Sequence, residues 1–234
     1  MTFKDHFSSQ AGEYARFRPE YPAELFAWLA ALAPGHELAW DCGTGSGQAA
    51  LGLAAHFEAV LATDASAEQL RHARSHPRVR YELGSAERAD LAAASVDLVV
   101  AAQALHWFAV DAFYAEAERV LRPAGVLAVW CYGWASVALE IDRVLDGYGK
   151  GTVEAYWPPE RALIESGYRT LPFPYAEEPS PRCEIAVDWR LDELLGYLGS
   201  WSSTVRFRRE RGEDPLPAVR RELERVWGPA GRPR

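Results

Sequence analysis

From residue 38 to residue 132 short apolar segments are spaced among helical ones, and that pattern restricts the chain to very few folds. Residues 38–42, 59–63, 79–83, 96–101 and 126–132 have the length and apolar content of strands. Helices are expected over 23–33, stopped by Pro34-Gly35, over 46–57, over 67–75 with Ser66 as N-cap, and over 112–121. The 96–101 run is wholly apolar, as a strand covered on both faces must be. Strands joined through helices in this way form an α/β, doubly wound parallel sheet with right-handed crossovers. Ligands on such sheets bind at the carboxyl ends of the strands, so the loops that follow them are where function is sought.

The first of these loops is Asp41-Cys42-Gly43-Thr44-Gly45-Ser46-Gly47. Its glycines permit positive φ and a close approach of backbone to ligand, and the next helix turns its unpaired N–H groups toward the same place. A tight strand-to-helix connection would also use glycines, so the turn alone is weak evidence. Two carboxylates add to it. Asp64 closes the second strand, where it can accept both hydrogens of a ribose diol. Asp41 stands directly before the turn, where it would repel a pyrophosphate and favour a cation. The spacing D-x-G-x-G-x-G also differs from the dinucleotide fingerprint G-x-G-x-x-G. A nucleoside bearing positive charge, such as S-adenosylmethionine with its sulfonium and ammonium, suits the turn.

Composition narrows the partners. A net charge of −8 argues against nucleic acid, and the basic stretch from Arg206 to Arg211 reads as a solvated helix face. Cys42, Cys131 and Cys183 are far apart and have no metal-ligand spacing, so no metal is expected and a reducing cytoplasm suits them. The opening MTFKDHFSSQAGEYARFRPEYP has no apolar stretch and no later segment is long enough to span a bilayer, so neither secretion nor membrane insertion is expected. Nine tryptophans and ten tyrosines suggest aromatic-lined cavities as well as core.

The runs LAWDCGTGSGQAALGLA, LATDAS, GSAERADL, VDLVVAAQALHWF and RVLRPAGVLAVW, in this order, resemble the successive motifs of class I S-adenosylmethionine-dependent methyltransferases. The closest resemblance is to the small-molecule type 11 group and its trans-aconitate-methyltransferase-like members, strongly over 38–131. It is looser over YARFRPEYP, WPPER and LLGYLGSWSS. The resemblance implies a three-layer Rossmann-like methyltransferase fold with a mostly parallel twisted sheet of six to seven strands and helices on both faces. Residues 1–35 would form an N-terminal lid and first helix, 36–135 the cofactor-binding core, and 136–234 the C-terminal part of the same domain over the substrate cavity.

Carried onto matching positions, the resemblance implies that Asp41 and Gly43 hold the methionine part of the cofactor and that Gly45 gives clearance. Asp64 would take the ribose hydroxyls and Ala65 would lie against the adenine. Ser85, Ala86 and Glu87 follow the third strand, where relatives usually carry an acid; here a hydroxyl or Glu87 would serve the adenine amino group. Gln103 would line the site near the methionine carboxylate or the reacting sulfur, and Tyr14 and Arg18, from the lid segment, would close over the cofactor and contact it. The chain departs from the family at its end, which has no apolar strand after the last helix. Either a hairpin of 168–175 and 183–189 supplies both late strands or the sheet has six, and a partner subunit could replace a missing edge.

Methyl transfer from a sulfonium needs alignment and a dry cavity, and a base only when the acceptor must lose a proton. His106, after the fourth strand, is the candidate base; the alternative is a histidine packing the loop under Trp107. Trp107, Trp130, Tyr132, Trp134, Tyr156, Trp157 and Trp201 are candidates for the acceptor cavity. The expected function is S-adenosylmethionine-dependent methylation of a small molecule, such as O-methylation of a carboxylic acid, with S-adenosylhomocysteine as product, by a monomer or homodimer. A non-catalytic protein binding S-adenosylmethionine or S-adenosylhomocysteine is the competing reading. A nucleic-acid amino-methyltransferase would need (Asn/Asp)-Pro-Pro-aromatic after the fourth strand, where Ala102-Gln103-Ala104-Leu105 stands.

Overall fold

A computed structural model of the chain describes residue 12, residues 16–228 and residues 233–234. Five strands, β1 (Leu38–Cys42), β2 (Ala59–Asp64), β3 (Val79–Leu83), β4 (Val96–Ala102) and β5 (Leu121–Trp130), make one parallel sheet in the order β3-β2-β1-β4-β5. Strand order reverses between β1 and β4, which opens a crevice at their carboxyl ends. Alternate side chains feed two cores. Ala39, Val60, Ala62, Leu98 and Val100 meet helices α1 (Ala23–Leu32) and α2 (Gln48–Leu53) through Phe26, Leu29 and Leu53. Trp40, Leu61, Val99 and Ala101 meet α4 (Val110–Val120) through Phe113, Ala117 and Val120 on the opposite face, while α3 (Ala67–Arg71) runs between β2 and β3. This is the three-layer α/β arrangement.

Burial on this scale carries the fold: Trp40, Leu53 and Phe113 are fully enclosed, and Phe113→Ala alone would cost about 3–5 kcal/mol. The Trp40 Nε1–H is satisfied by Thr63 Oγ1 at 2.9 Å, tying β1 to β2 inside the core. At the β4–β5 pair the register shifts between Val96 and Leu98, whose partners are Leu121 and Val126, so residues 122–125 bulge from the ladder. Helix α2 begins two residues later than its apolar pattern suggests because Gly47 stands left-handed at its N-cap, φ 89°.

The expected six to seven strands become five among the described residues. Neither 168–175 nor 183–189 pairs as a strand. Pro172, Pro174, Pro179 and Pro181 remove ladder donors from this stretch and lock φ. Phe173 instead packs edge-on against Tyr114 at 6.0 Å, and Trp189 exchanges both backbone hydrogen bonds with Arg234. Past β5 come α5 (Leu139–Gly147), α6 (Arg161–Glu165), α7 (Leu191–Gly199), α8 (Ser202–Arg211) and α9 (Leu216–Val226). The sequence pattern gives no sign of α5, and α8 is expected only as a basic surface run. Ile141, Leu145, Leu194, Leu198, Val219 and Leu223 join these helices in a third core.

Candidate active site

The glycine turn is drawn back over β2. Gly43 N–H and Thr44 N–H both donate to the Thr63 carbonyl at 2.9 Å. Gly43, at φ 69°, lies so close to the loop after β4 that a Cβ there would stand 2.7 Å from Ala104 Cβ and 2.9 Å from Phe108. Beside Gly45 the space is open, the nearest atom to an added Cβ being Gln69 Oε1 at 3.9 Å. Asp64 closes the turn from below, accepting from Gly45 N–H through one oxygen and from Ser66 N–H through the other, each at 2.8 Å.

Asp41 is fully buried, with Oδ2 accepting from the Thr44 hydroxyl. Its Oδ1 is enclosed without a hydrogen bond among the described residues, as are Gln69 Oε1 and Gln103 Oε1. Burial pushes the Asp41 carboxyl up to about 7, against the lowering by Thr44 and the Ala50 backbone, and the charge of Asp64 adds to the rise. Three orphaned acceptors around a strand-end crevice form a site in want of donors. An ammonium and hydroxyl groups are donors of the kind it lacks, so the residues present fit S-adenosylmethionine.

Further along the crevice, Ser85 and Ala65 are exposed and Ala86 is buried. One oxygen of the Glu87 carboxylate accepts from Ala109 N–H at 2.9 Å, which joins the loop after β3 to the start of α4. Gln103 takes a left-handed backbone at φ 54°, uncommon for a residue with a side chain. It is held by its N–H to the Trp130 carbonyl and by its side-chain amide to the Tyr132 carbonyl. Tyr14 lies outside the described residues.

The loops after β4 and β5 open into a small cleft. Arg18, Gln103, His106, Trp107, Tyr132, Trp134, Trp157 and Trp201, all expected from the sequence, meet there, joined by Arg161 and Tyr197. Trp130 does not reach it and packs instead against Tyr21 at 5.4 Å and Phe26 at 6.5 Å. Tyr156 turns away to Phe207. Arg18 donates to the Tyr132 hydroxyl at 3.0 Å and lies over the Tyr197 ring, which places it in the wall of the cleft. Arg161 and Tyr197 carry no motif of their own; WPPER points to its prolines more than to its arginine.

His106 is buried, its Nδ1 2.8 Å from the Tyr168 hydroxyl and its ring 4.6 Å from that of Trp107. Burial first, and the Arg161 charge second, lower its pKa to about 3. A neutral imidazole this weakly basic is a poor proton acceptor, which counts against the expected base role.

Known proteins share this construction. Residues 40–129 match the family model described as a methyltransferase domain. A Dictyostelium discoideum protein named as a methyltransferase is 32% identical over 229 residues, which cover 96% of this chain and 87% of that one. A methyltransferase-like protein of Schizosaccharomyces pombe is 35% identical over 231 residues, covering 94% and 85%. The solved structure of an Anaeromyxobacter dehalogenans protein, described as a type II methyltransferase, is similar with a TM-score of 0.86 and 50% identity, covering 93% and 92% of the two chains. The chain belongs to the class I S-adenosylmethionine-dependent methyltransferase family. Among the described residues no helix is long and apolar enough to cross a membrane, and no group of three or more His, Cys, Asp or Glu is placed to hold a metal.

Proposed function

We propose that the protein methylates a carboxylate oxygen of a small organic acid. The observation that carries this reading is the charge of the cleft. In a chain of net charge −8, its described lining holds two arginines, Arg18 and Arg161, and no acid. A carboxylate, already ionised at pH 7, needs no base, and the cleft offers only the weakly basic His106.

S-adenosylmethionine, when bound, supplies a methyl group activated by its sulfonium, so the chain has only to hold and align the acceptor in a dry site. Asp41 Oδ1 would face its ammonium, Gly43 and Gly45 would pass its methionine part, Asp64 would accept from the ribose and Ala65 would flank the adenine. One Glu87 oxygen accepts from Ala109 N–H and the Ser85 hydroxyl accepts from Glu87 N–H, so the second Glu87 oxygen, the remaining Ser85 acceptor capacity or the Ala86 backbone would take the adenine amino group. Gln103, at the meeting of turn and cleft, would hold the reacting groups in register through its constrained backbone. Trp107, Tyr132, Trp157 and Trp201 exclude water from the acceptor. Residues 16–35 and 136–234 would then act as cover to the 36–135 core.

A labelled-methyl assay over carboxylic acids, phenols and amines tests the reading. Esters release labelled methanol in alkali, whereas aryl ethers and methylamines do not. Label found only in alkali-stable products would overturn the carboxylate assignment. Calorimetric binding of S-adenosylhomocysteine with no turnover of any acceptor would make the protein a binding protein.

A further inference from the structure

We propose that Arg161 is the residue that reads the acceptor, by gripping its carboxylate, and that the acceptor has a flat, unsaturated body. The inference rests on the methyltransferase reading above and deepens it. The Arg161 guanidinium sits in a corner of two indoles, its Cζ 4.6 Å from the ring centroids of both Trp134 and Trp157, which meet at 88°. That corner is itself held. Trp157 Nε1–H donates to the Gly149 carbonyl at 2.9 Å, and Trp134 packs edge-on against Trp201 at 5.4 Å. The side chain is 15% exposed, and Nε faces Glu165 at 3.4 Å.

Arg161 lines the cleft, and among the described residues no hydrogen bond is accepted from its Nη1 or Nη2. Only one of two indoles that meet at 88° can lie parallel to the guanidinium, and the N–H edge turned away from the other ring is left for a planar oxyanion. With rotamer freedom already lost, such a fork binds a carboxylate in one orientation and gives little to a neutral isostere. Arg161 opens α6, the helix that packs against the 105–107 turn after β4. Trp107, Tyr132 and Trp201 then offer flat walls to whatever carries the carboxylate.

The test is calorimetry on protein saturated with S-adenosylhomocysteine, titrated with benzoate, trans-cinnamate and hexanoate and with the three matching amides. The wild type is expected to bind the aromatic acids at least about tenfold more tightly than their amides, and more tightly than hexanoate. Arg161→Gln should erase the acid preference and leave S-adenosylhomocysteine affinity within about twofold. Arg161→Lys, which keeps stem and charge, should restore only part of it and serves as the test if the glutamine variant does not fold. Acids and amides bound equally by the wild type, or an acid preference that survives both substitutions, would overturn the role of Arg161. If alkali-labile methyl esters still form in that case, the proposed function stands without it. Hexanoate binding as well as cinnamate would overturn the flat-body claim. Label transferred only to phenols or amines would remove both proposals together.

Discussion

The turn that faces the cofactor and the cleft that faces the acceptor share one crevice but are built by different means. The turn is nearly all backbone and lies within one stretch, Asp41 to Ser66, closed by hydrogen bonds from Gly43, Thr44, Gly45 and Ser66. The cleft is nearly all side chain, assembled from the segment before α1, the ends of β4 and β5, and the entries to α6 and α8. Backbone geometry set by glycine φ serves one shared ligand. A wall of large side chains from distant segments can be changed piece by piece, and that suits an acceptor site. The electrostatics divide in the same way: buried acceptors short of donors on one side, guanidinium groups over aromatic rings on the other.

The division can be broken most forcefully at Asp64. Asp64→Ala removes the acceptor of two backbone N–H groups as well as the expected ribose contact. S-adenosylhomocysteine affinity should therefore fall by about 100-fold or more by calorimetry. If acid binding to the cleft is equally damaged when measured without the nucleoside, the two regions are not separable.

Asp41 should give the next largest effect, and it depends on pH. Its carboxyl, at about 7 in the folded protein against 3.8 ordinarily, keeps a proton that the unfolded chain has released between those values. Folded stability attributable to it therefore declines as pH rises through that window. A cation beside it reverses the preference, so S-adenosylhomocysteine should bind about tenfold more tightly at pH 8 than at pH 6. Asp41→Asn should flatten that dependence, weaken binding at pH 8, and leave the unliganded protein more stable there, as thermal melts would record. A flat profile in the wild type would remove Asp41 from the cofactor's contacts.

Trp157→Phe sharpens the comparison from the other side. It loses the bond to the Gly149 carbonyl and part of the Arg161 corner. The acceptor KM should rise about three- to tenfold, with S-adenosylhomocysteine affinity unchanged. The smallest effect belongs to His106→Asn, expected to change kcat by less than about threefold with no shift in the pH–rate profile. Because its folded pKa is depressed to about 3, His106 resists charging, and stability attributable to it falls as pH drops below about 6.5. The variant should melt with a shallower acid dependence. A rate loss of hundredfold with an altered pH limb would return the base role to this histidine.

Legibility in the sequence follows the same boundary. All five strands can be located before the structure, because four are short apolar runs and Val79–Leu83 alternates apolar with charged residues, and the Ser66 cap is found as expected, accepting from Gln69 N–H at 3.3 Å. Gln69 itself is missed, since an amide on a short helix has no pattern until the turn folds beside it. Arg18 is legible as a functional residue, but its contacts with Tyr132 and Tyr197 are not, because a lid's docking point is not written in its own segment. The late strands are misread because 183–189 alternates like a strand while prolines nearby deny it a ladder.

By itself, then, the sequence determined the α/β class, the glycine turn with its two carboxylates, and a cationic nucleoside as the ligand that suits them. These follow from local chemistry: apolar period, positive φ, and charge beside a strand end. Only the tertiary structure decided that Arg161 lies in a corner of Trp134 and Trp157, that His106 is buried against Tyr168, and that Trp130 serves the core. Those properties depend on which distant side chains desolvate and stack on one another, and no residue carries that information within its own stretch of chain.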